Sequence, residues 1–465
     1  MLFNSFEFLL FAAVFFGVWP WARRHPERRY LTIIVFSMFF FGWATWWYPL
    51  LLIGNGGVDF MAALAMRKSP ERRKLLLVLS IVANLGTLSV FKYAGFLVGN
   101  WNAIGGWAGF PALSIPHIVL PIGISFTTFQ SMSYTIDVYR GEIEPIRNPR
   151  QFFAYLSLFP QLIAGPIQRA RDLLPQLARD HEPTDEQRWE GMRLIASGYF
   201  KKTVIADNFA PIVNQAFGQG IPLPSGAYWW VIAAMYSFQI YFDFSGYSDI
   251  ARGLGKWMGY DFSLNFNHPY HATSFRGFWQ RWHISLSTWF RDYVYIPLGG
   301  GRKHPNRNMW ITMLLSGLWH GANWTFVAWG AIHAAAMHVE RQTGWPDRLH
   351  KRRGGLALAS FIVLLTVVLS WVMFRAQNIG QFGQIITLML DPRQIGLGAA
   401  VDIGAKGLGL LGLCVVFEGI RAKGWSPGFQ EGIDCRMRVQ LQLAAMLTAC
   451  VFLRGPGGAF IYFQF

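Results

Sequence analysis

Charge is scarce in this sequence. Of its 465 residues only 14% are Asp, Glu, Lys or Arg, where a soluble chain carries about 25%. Acids are the scarcer sign, 25 against 41 bases, for a formal net charge of +16. Cysteine is rarer still. Cys414, Cys435 and Cys450 make no disulfide framework, and all three are expected as packing residues. No His-Glu-x-x-His and no Gly-x-Ser-x-Gly occurs, which leaves no zinc-peptidase helix and no nucleophile elbow. Internal repeats and low-complexity tracts are also missing.

What is abundant is apolar. Hydrophobic residues make up 53% of the chain, aromatics 17%, and the mean hydropathy is +0.27. Apolar runs cover 6–21, 31–53, 75–97, 118–136, 152–168, 192–206, 228–244, 310–339, 356–374, 395–420 and 441–453. In lipid a chain must satisfy its own backbone hydrogen bonds, which favours helices. The sequence therefore predicts an all-α polytopic membrane protein of roughly 10–13 transmembrane or re-entrant helices. It reads as a single membrane domain over 1–465, with N-terminal helices in 1–244, a mixed amphipathic or re-entrant region in 245–308, and C-terminal helices in 309–465.

Run 6–21 has no basic segment before it and is expected to stay as a first span. The basic clusters Arg23-Arg-His-Pro-Glu-Arg-Arg29 and Arg67-Lys-Ser-Pro-Glu-Arg-Arg-Lys74 belong on the cytoplasmic side, which puts the N-terminus on the periplasmic side. Two crossings must separate them. Run 31–53 supplies one, and 58–66, after Gly54-Asn-Gly-Gly57, supplies the other as a half-buried helix. Basic residues scattered through short loops suit membrane lipids as partners and exclude nucleic acid.

Two polar stretches interrupt the series. Residues 169–188 read as a loop with a short amphipathic helix. Residues 275–293 read as one amphipathic helix at the membrane surface, capped by Ser274, with Phe278, Trp282 and Trp289 on its apolar face. Trp279 and His283 are four apart and would share a face. Gly299-Gly-Gly301 then gives a tight reversal.

The chain has 11 histidines. His25, His117, His181, His304 and His350 fall in polar or loop contexts. His268 and His271 flank Pro269-Tyr270, where packing or headgroup contact is expected. His333 reads as a hydrogen-bonded core residue and His338 as an interfacial one. His320 is different. In Ser316-Gly-Leu-Trp-His-Gly-Ala-Asn-Trp-Thr325 it falls inside run 310–339. As one helix, this run would put His320 about 15 Å from Trp310, near the middle of a hydrocarbon core about 30 Å thick.

An ionisable group at that depth points to function. Burial favours its neutral form, which can take a proton from a hydroxyl. A hydrogen bond between helices is the other reading. Ser316 and Gly317 would lie one turn before it, Asn323 and Trp324 one turn after. Gly317 and Gly321 have the spacing of close helix approach. His283 is the natural second member. Ser316, Asn323, Trp324, Trp279, Arg276, Arg281 and Asp243 are the candidate substrate contacts. For Asp243 and Asp249, pairing with nearby arginines is the competing role.

Several stretches resemble the membrane-bound O-acyltransferase family, in particular its alginate O-acetyltransferase subgroup of bacterial exopolysaccharide systems. They are Tyr241-Phe-Asp-Phe-Ser-Gly-Tyr-Ser-Asp-Ile250, Phe278-Trp-Gln-Arg-Trp-His-Ile-Ser-Leu-Ser-Thr-Trp-Phe-Arg-Asp-Tyr293, Tyr295-Ile-Pro-Leu-Gly-Gly300 and Gly317-Leu-Trp-His-Gly-Ala-Asn-Trp324. The opening Met1-Leu-Phe-Asn-Ser-Phe-Glu-Phe-Leu9, Pro121-Ile-Gly-Ile-Ser-Phe126, Gly165-Pro-Ile167 and the closing Phe460-Ile-Tyr-Phe-Gln-Phe465 are similar as well.

The resemblance implies a ring of helices around a thinned central tunnel. It implies His320 as the catalytic histidine and His283 as its companion. It implies cytoplasmic acetyl-CoA as donor substrate, with no bound cofactor and no metal. It also implies a periplasmic SGNH-like acetyltransferase partner that finishes transfer to a polysaccharide. Arg276, Arg281, Arg302 and Lys303 are placed to hold CoA phosphates. Two other functions fit such a chain: a transporter or flippase of lipid-linked glycans, and acyl transfer of the D-alanyl type to a cell-envelope polymer.

Overall fold

The computed structural model describes every residue except 44, 117, 164, 219–224, 395–402, 423–432, 459 and 462–465. His117, the start of run 395–420 and the last four residues of the closing motif lie outside the described residues, as does the side chain of Cys435. Among the described residues the secondary structure is helical, with no strand. Tyr48–Lys68, Pro70–Ala108 and Gly355–Arg375 are long and apolar enough to cross a membrane. Phe6–Ala22, Ile379–Leu390 and Gln440–Phe452 are shorter apolar helices. The apolar window of Pro70–Ala108 is only 17% buried, so most of its side chains face outward, as lipid contact requires.

One compact unit holds Met1–Ile195 and Ser248–Ser263. Two predicted spans are divided within it. Run 31–53 breaks into helices Pro26–Gly42 and Tyr48–Lys68, with Pro49 at the start of the second. Gly54-Asn-Gly-Gly57 is therefore interior to a helix, and 58–66 is not a separate element. Gly56 packs closely there: a Cβ on it would come 2.5 Å from the end of the Leu156 side chain, which would have to shift. Two helices still separate the basic clusters.

Run 152–168 is not a span. It forms the short buried helices Pro149–Ser157 and Phe159–Leu162, the first capped by Asn148, which accepts from the Arg150 N–H at 2.9 Å. Phe159 then sits among Phe8, Phe11, Phe15 and Phe40, at centroid distances of 5.0–6.5 Å.

The charges of this unit gather in the connections. Arg23 pairs with Asp180 and Glu182, both at 2.9 Å. The buried Arg29 donates to the carbonyls of Arg23 and Ala178, and Arg150 pairs with Glu27 at 2.6 Å. The first basic cluster and the 169–188 stretch thus form one polar patch. Deep in the same unit, Asp59 has no exposure. Its carboxylate accepts from Ser80 at 2.5 Å, from Asn84 at 2.8 and 2.9 Å, and from Ser131.

The other unit holds Ala196–Tyr247 and Leu264–Phe465. Its core is aromatic, with Trp229, Trp282, Trp329 and Trp371 nearly or fully buried. Most of the 33-residue helix Gly226–Met258 belongs to it.

Candidate active site

His320 comes from a hairpin. The 310–339 run is not one helix but two, Pro305–His320 and Trp324–Thr343. The break has a local cause. Gly321 is extended, at φ −166° and ψ 154°, and Asn323 caps the second helix, accepting from the Thr325 N–H at 3.0 Å. His320 is thus the last residue of its helix rather than a mid-span residue, and Asn323 and Trp324 do not follow it by one helical turn.

The two helices pack at glycines. A Cβ on Gly317 would run into the Phe326 carbonyl, one on Gly330 into the Met313 carbonyl, and one on Gly321 into the Phe326 ring. Close approach at Gly317 and Gly321 is therefore made within this hairpin. The His320 imidazole retains 4% exposure in an aromatic cage of Trp319, Trp329 and Phe374, at centroid distances of 5.0, 5.1 and 5.2 Å.

His283 comes from a second break. The expected 275–293 helix divides into Phe275–Trp279 and Ile284–Phe290. Ser274 caps the first, as expected, accepting from the Gly277 N–H at 2.9 Å. The Glu340 carboxylate accepts from the Phe275 and Arg276 N–H groups of the same turn. Burial raises the Glu340 pKa, while those two donors pull it back. Between the helices His283 adopts a left-handed backbone, φ 43° and ψ 54°. Trp279 and His283 therefore do not share a helix face.

Asn265 fixes the ring. Its Oδ1 accepts from the Ser285 N–H at 3.2 Å, from the Ser285 hydroxyl at 2.9 Å and from His283 Nδ1 at 3.1 Å. That places the His283 proton on Nδ1 and the lone pair on Nε2. His283 has no exposure, and burial lowers its pKa far below the usual imidazole value. The imidazole lies edge-on to Phe244 at 4.6 Å. Trp319 contacts both histidines, His320 at 5.0 Å and His283 at 6.3 Å.

The other candidates divide. Trp279 reaches the cage through Trp329, 5.7 Å away, and Ser316 is buried one turn before His320. Asn323 is spent on capping and on a bond to the Gln377 carbonyl at 3.1 Å. Trp324 faces outward, 54% exposed. Arg276, Arg302 and Lys303 are exposed, and Arg281 reaches the Asn267 carbonyl at 3.4 Å.

Asp243 belongs to a buried ion cluster. Lys202 pairs with it at 2.7 Å and with Asp207 at 2.9 Å, and its other oxygen accepts from the Ile461 N–H at 2.6 Å. The partner is a lysine, not the expected arginine. Asp249 lies 3.9 Å from Arg252. His333 is hydrogen-bonded to Ser370 at 3.0 Å. Among the described residues no three His, Cys, Asp or Glu side chains converge as metal ligands.

Sequence reasoning passed over Asn265, Trp319, Trp329 and Phe374. Trp319 was visible as the neighbour of His320. Asn265 and Phe374 carry no local signal, since they meet the histidines only through tertiary packing.

Comparison with known proteins bears on this geometry. The model of the membrane-bound O-acyltransferase family matches residues 127–345, a stretch containing both histidines, Asn265 and Trp329. The chain is 42% identical to the "Probable alginate O-acetylase AlgI" of Pseudomonas putida, over 82% of this chain and 78% of that protein. It is 34% identical to the "Peptidoglycan O-acetyltransferase" of Helicobacter pylori, over 85% and 81% of the two chains. Identity to the "Teichoic acid D-alanyltransferase" of Streptococcus thermophilus is 29%, over 54% and 68%.

Proposed function

Because the chain belongs to the membrane-bound O-acyltransferase family, we propose that this multi-pass membrane O-acyltransferase passes acetyl groups from cytoplasmic acetyl-CoA across the inner membrane for O-acetylation of an exopolysaccharide. A periplasmic SGNH-like acetyltransferase completes the transfer. The N-terminus is periplasmic, because the basic clusters at 23–29 and 67–74 belong to the cytoplasm.

One observation carries the reading. His320 and His283 are both buried, and Trp319 touches each of them, inside the segment that the family model matches. A thioester is already an activated donor, so the chemistry needs a base and a donor for the developing oxyanion. His320 is the base. Its neutral imidazole takes the proton of the attacking hydroxyl as that oxygen bonds to the thioester carbonyl carbon. The carbon–sulfur bond then breaks, and the departing thiolate takes the proton. His283, its tautomer set by Asn265, presents Nε2 as an acceptor and assists His320. The exposed Arg276, Arg302 and Lys303, with Arg281, hold the CoA phosphates.

The test is thiol release from acetyl-labelled CoA by the purified protein in detergent, with a polysaccharide supplied as the hydroxyl acceptor. His320→Ala abolishes release, and the exposed His350→Ala does not. Undiminished release in His320→Ala refutes the assignment, and absence of release from the folded wild-type protein favours a transporter.

A further inference from the structure

Among the buried polar atoms around Trp329 that have no hydrogen-bond partner among the described residues, three stand in mutual ring contact. They are Nε1 of Trp279, Nε1 of Trp329 and Nδ1 of His333. Their rings touch one another. Trp279 and Trp329 lie 5.7 Å apart, Trp279 and His333 5.1 Å, and Trp329 and His333 4.8 Å. Trp329 also stands 5.1 Å from His320, nearly perpendicular to it.

A buried indole N–H usually finds an acceptor. Here an acceptor is in contact, yet neither indole uses it. His333 is locked in place. The Ser370 hydroxyl donates to the Val367 carbonyl at 2.7 Å, so its oxygen accepts from His333 Nε2–H. The Nδ1 lone pair is left over, and neither N–H group is bonded to it.

An uncommitted donor beside a base, with a second donor packed against the first, is what acyl transfer can use at the point where negative charge appears. We propose that the indole N–H groups of Trp329 and Trp279 are the oxyanion donors of this enzyme and that they receive the carbonyl oxygen of the thioester. The inference rests on the O-acyl-transfer reading and extends it to residues outside the histidine motifs.

The acceptor hydroxyl oxygen bonds to the thioester carbonyl carbon, and its proton passes to His320. The carbonyl π pair moves onto oxygen, where the two N–H groups meet it. The pair then returns, the carbon–sulfur bond breaks with its electrons on sulfur, and the thiolate takes the proton from His320. Trp329 has no exposure, so water does not compete for its N–H, and a donor in such a low-dielectric setting acts strongly. Trp279 is partly exposed and forms the outer side of the pair.

The test replaces the N–H and keeps the ring. Trp329→benzothienylalanine and Trp279→benzothienylalanine put sulfur in place of the indole nitrogen. The buried Trp229, whose Nε1 also has no partner among the described residues, is changed in the same way as a control. Thiol release from acetyl-CoA is followed in detergent. At Trp329, kcat falls by about 10²–10³-fold with KM little changed, and at Trp229 both are unchanged. Trp329→Phe gives the same loss, with a thermal midpoint showing that it is folded.

An unchanged kcat at both Trp329 and Trp279, with His320→Ala inactive, overturns the oxyanion assignment and leaves acyl transfer standing. A loss confined to KM overturns it as well, because it signals ground-state binding. Full activity in His320→Ala removes the acyl-transfer reading and this inference together.

Discussion

His283 Nδ1 donates to Oδ1 of Asn265 at 3.1 Å, and this bond decides which nitrogen of the imidazole is basic. The same oxygen serves the backbone and hydroxyl of Ser285, so it cannot turn to serve as a donor. Removing it strands three buried donors. Each orphaned donor costs about 1–3 kcal/mol, with partial relief as the site relaxes. Asn265→Ala is therefore expected to lower the thermal midpoint in detergent and to reduce thiol release. Asn265→Asp restores an acceptor and recovers stability ahead of activity. Equal stability of wild type and Asn265→Ala contradicts this account.

The hairpin bearing His320 depends on two glycines that oppose backbone carbonyls. Carbonyls do not swing aside as side chains do. Gly317→Ala and Gly330→Ala are each expected to cost about 1–3 kcal/mol through overpacking and to cut turnover, because His320 ends the displaced helix. Gly17→Ala, where nothing lies within 4 Å of the added Cβ, is the matched control. A Gly330→Ala protein with native activity counts against the hairpin as the support of His320.

At His283 the left-handed backbone costs about 1–2 kcal/mol for an L-residue and nothing for glycine. His283→Gly is thus expected to be more stable than His283→Ala, although both lose turnover. Paired melting curves decide it, and a more stable His283→Ala shows that the strain is not there.

Lys202 neutralises two buried carboxylates. Lys202→Met leaves Asp207 and Asp243 facing each other and should destabilise by about 3–5 kcal/mol. Adding Asp207→Asn and Asp243→Asn should recover much of that loss. A recovered melting midpoint with intact thiol release identifies the cluster as structural, whereas recovered stability without activity returns Asp243 to the substrate candidates.

The sequence allowed the fold class to be read because apolar runs report helices in lipid regardless of detail. It could not place the breaks. Runs 31–53 and 310–339 both look continuous, because hydropathy is blind to a cap at Asn323 or to a helix end at Gly42. The left-handed turn at His283 has no local signature either, since the backbone there is imposed by Asn265, whose carbonyl accepts from the Ile284 N–H. His320 and His283 stood out as candidates because histidine is rare in such surroundings. Trp329 did not, because one more tryptophan among 21 reads as core.

Asp59 ties together segments that leave the ribosome far apart in time. Its helix, Tyr48–Lys68, leaves the ribosome before any of the groups that solvate the carboxylate. Ser80 and Asn84 follow 21 and 25 residues later, and Ser131 only after 72. An aspartate alone at the bilayer centre opposes insertion by about 2.5–3.5 kcal/mol. Ser80 and Asn84, both on the next helix Arg73–Leu88, offset that cost as soon as the two helices pair, and Ser131 adds the third donor.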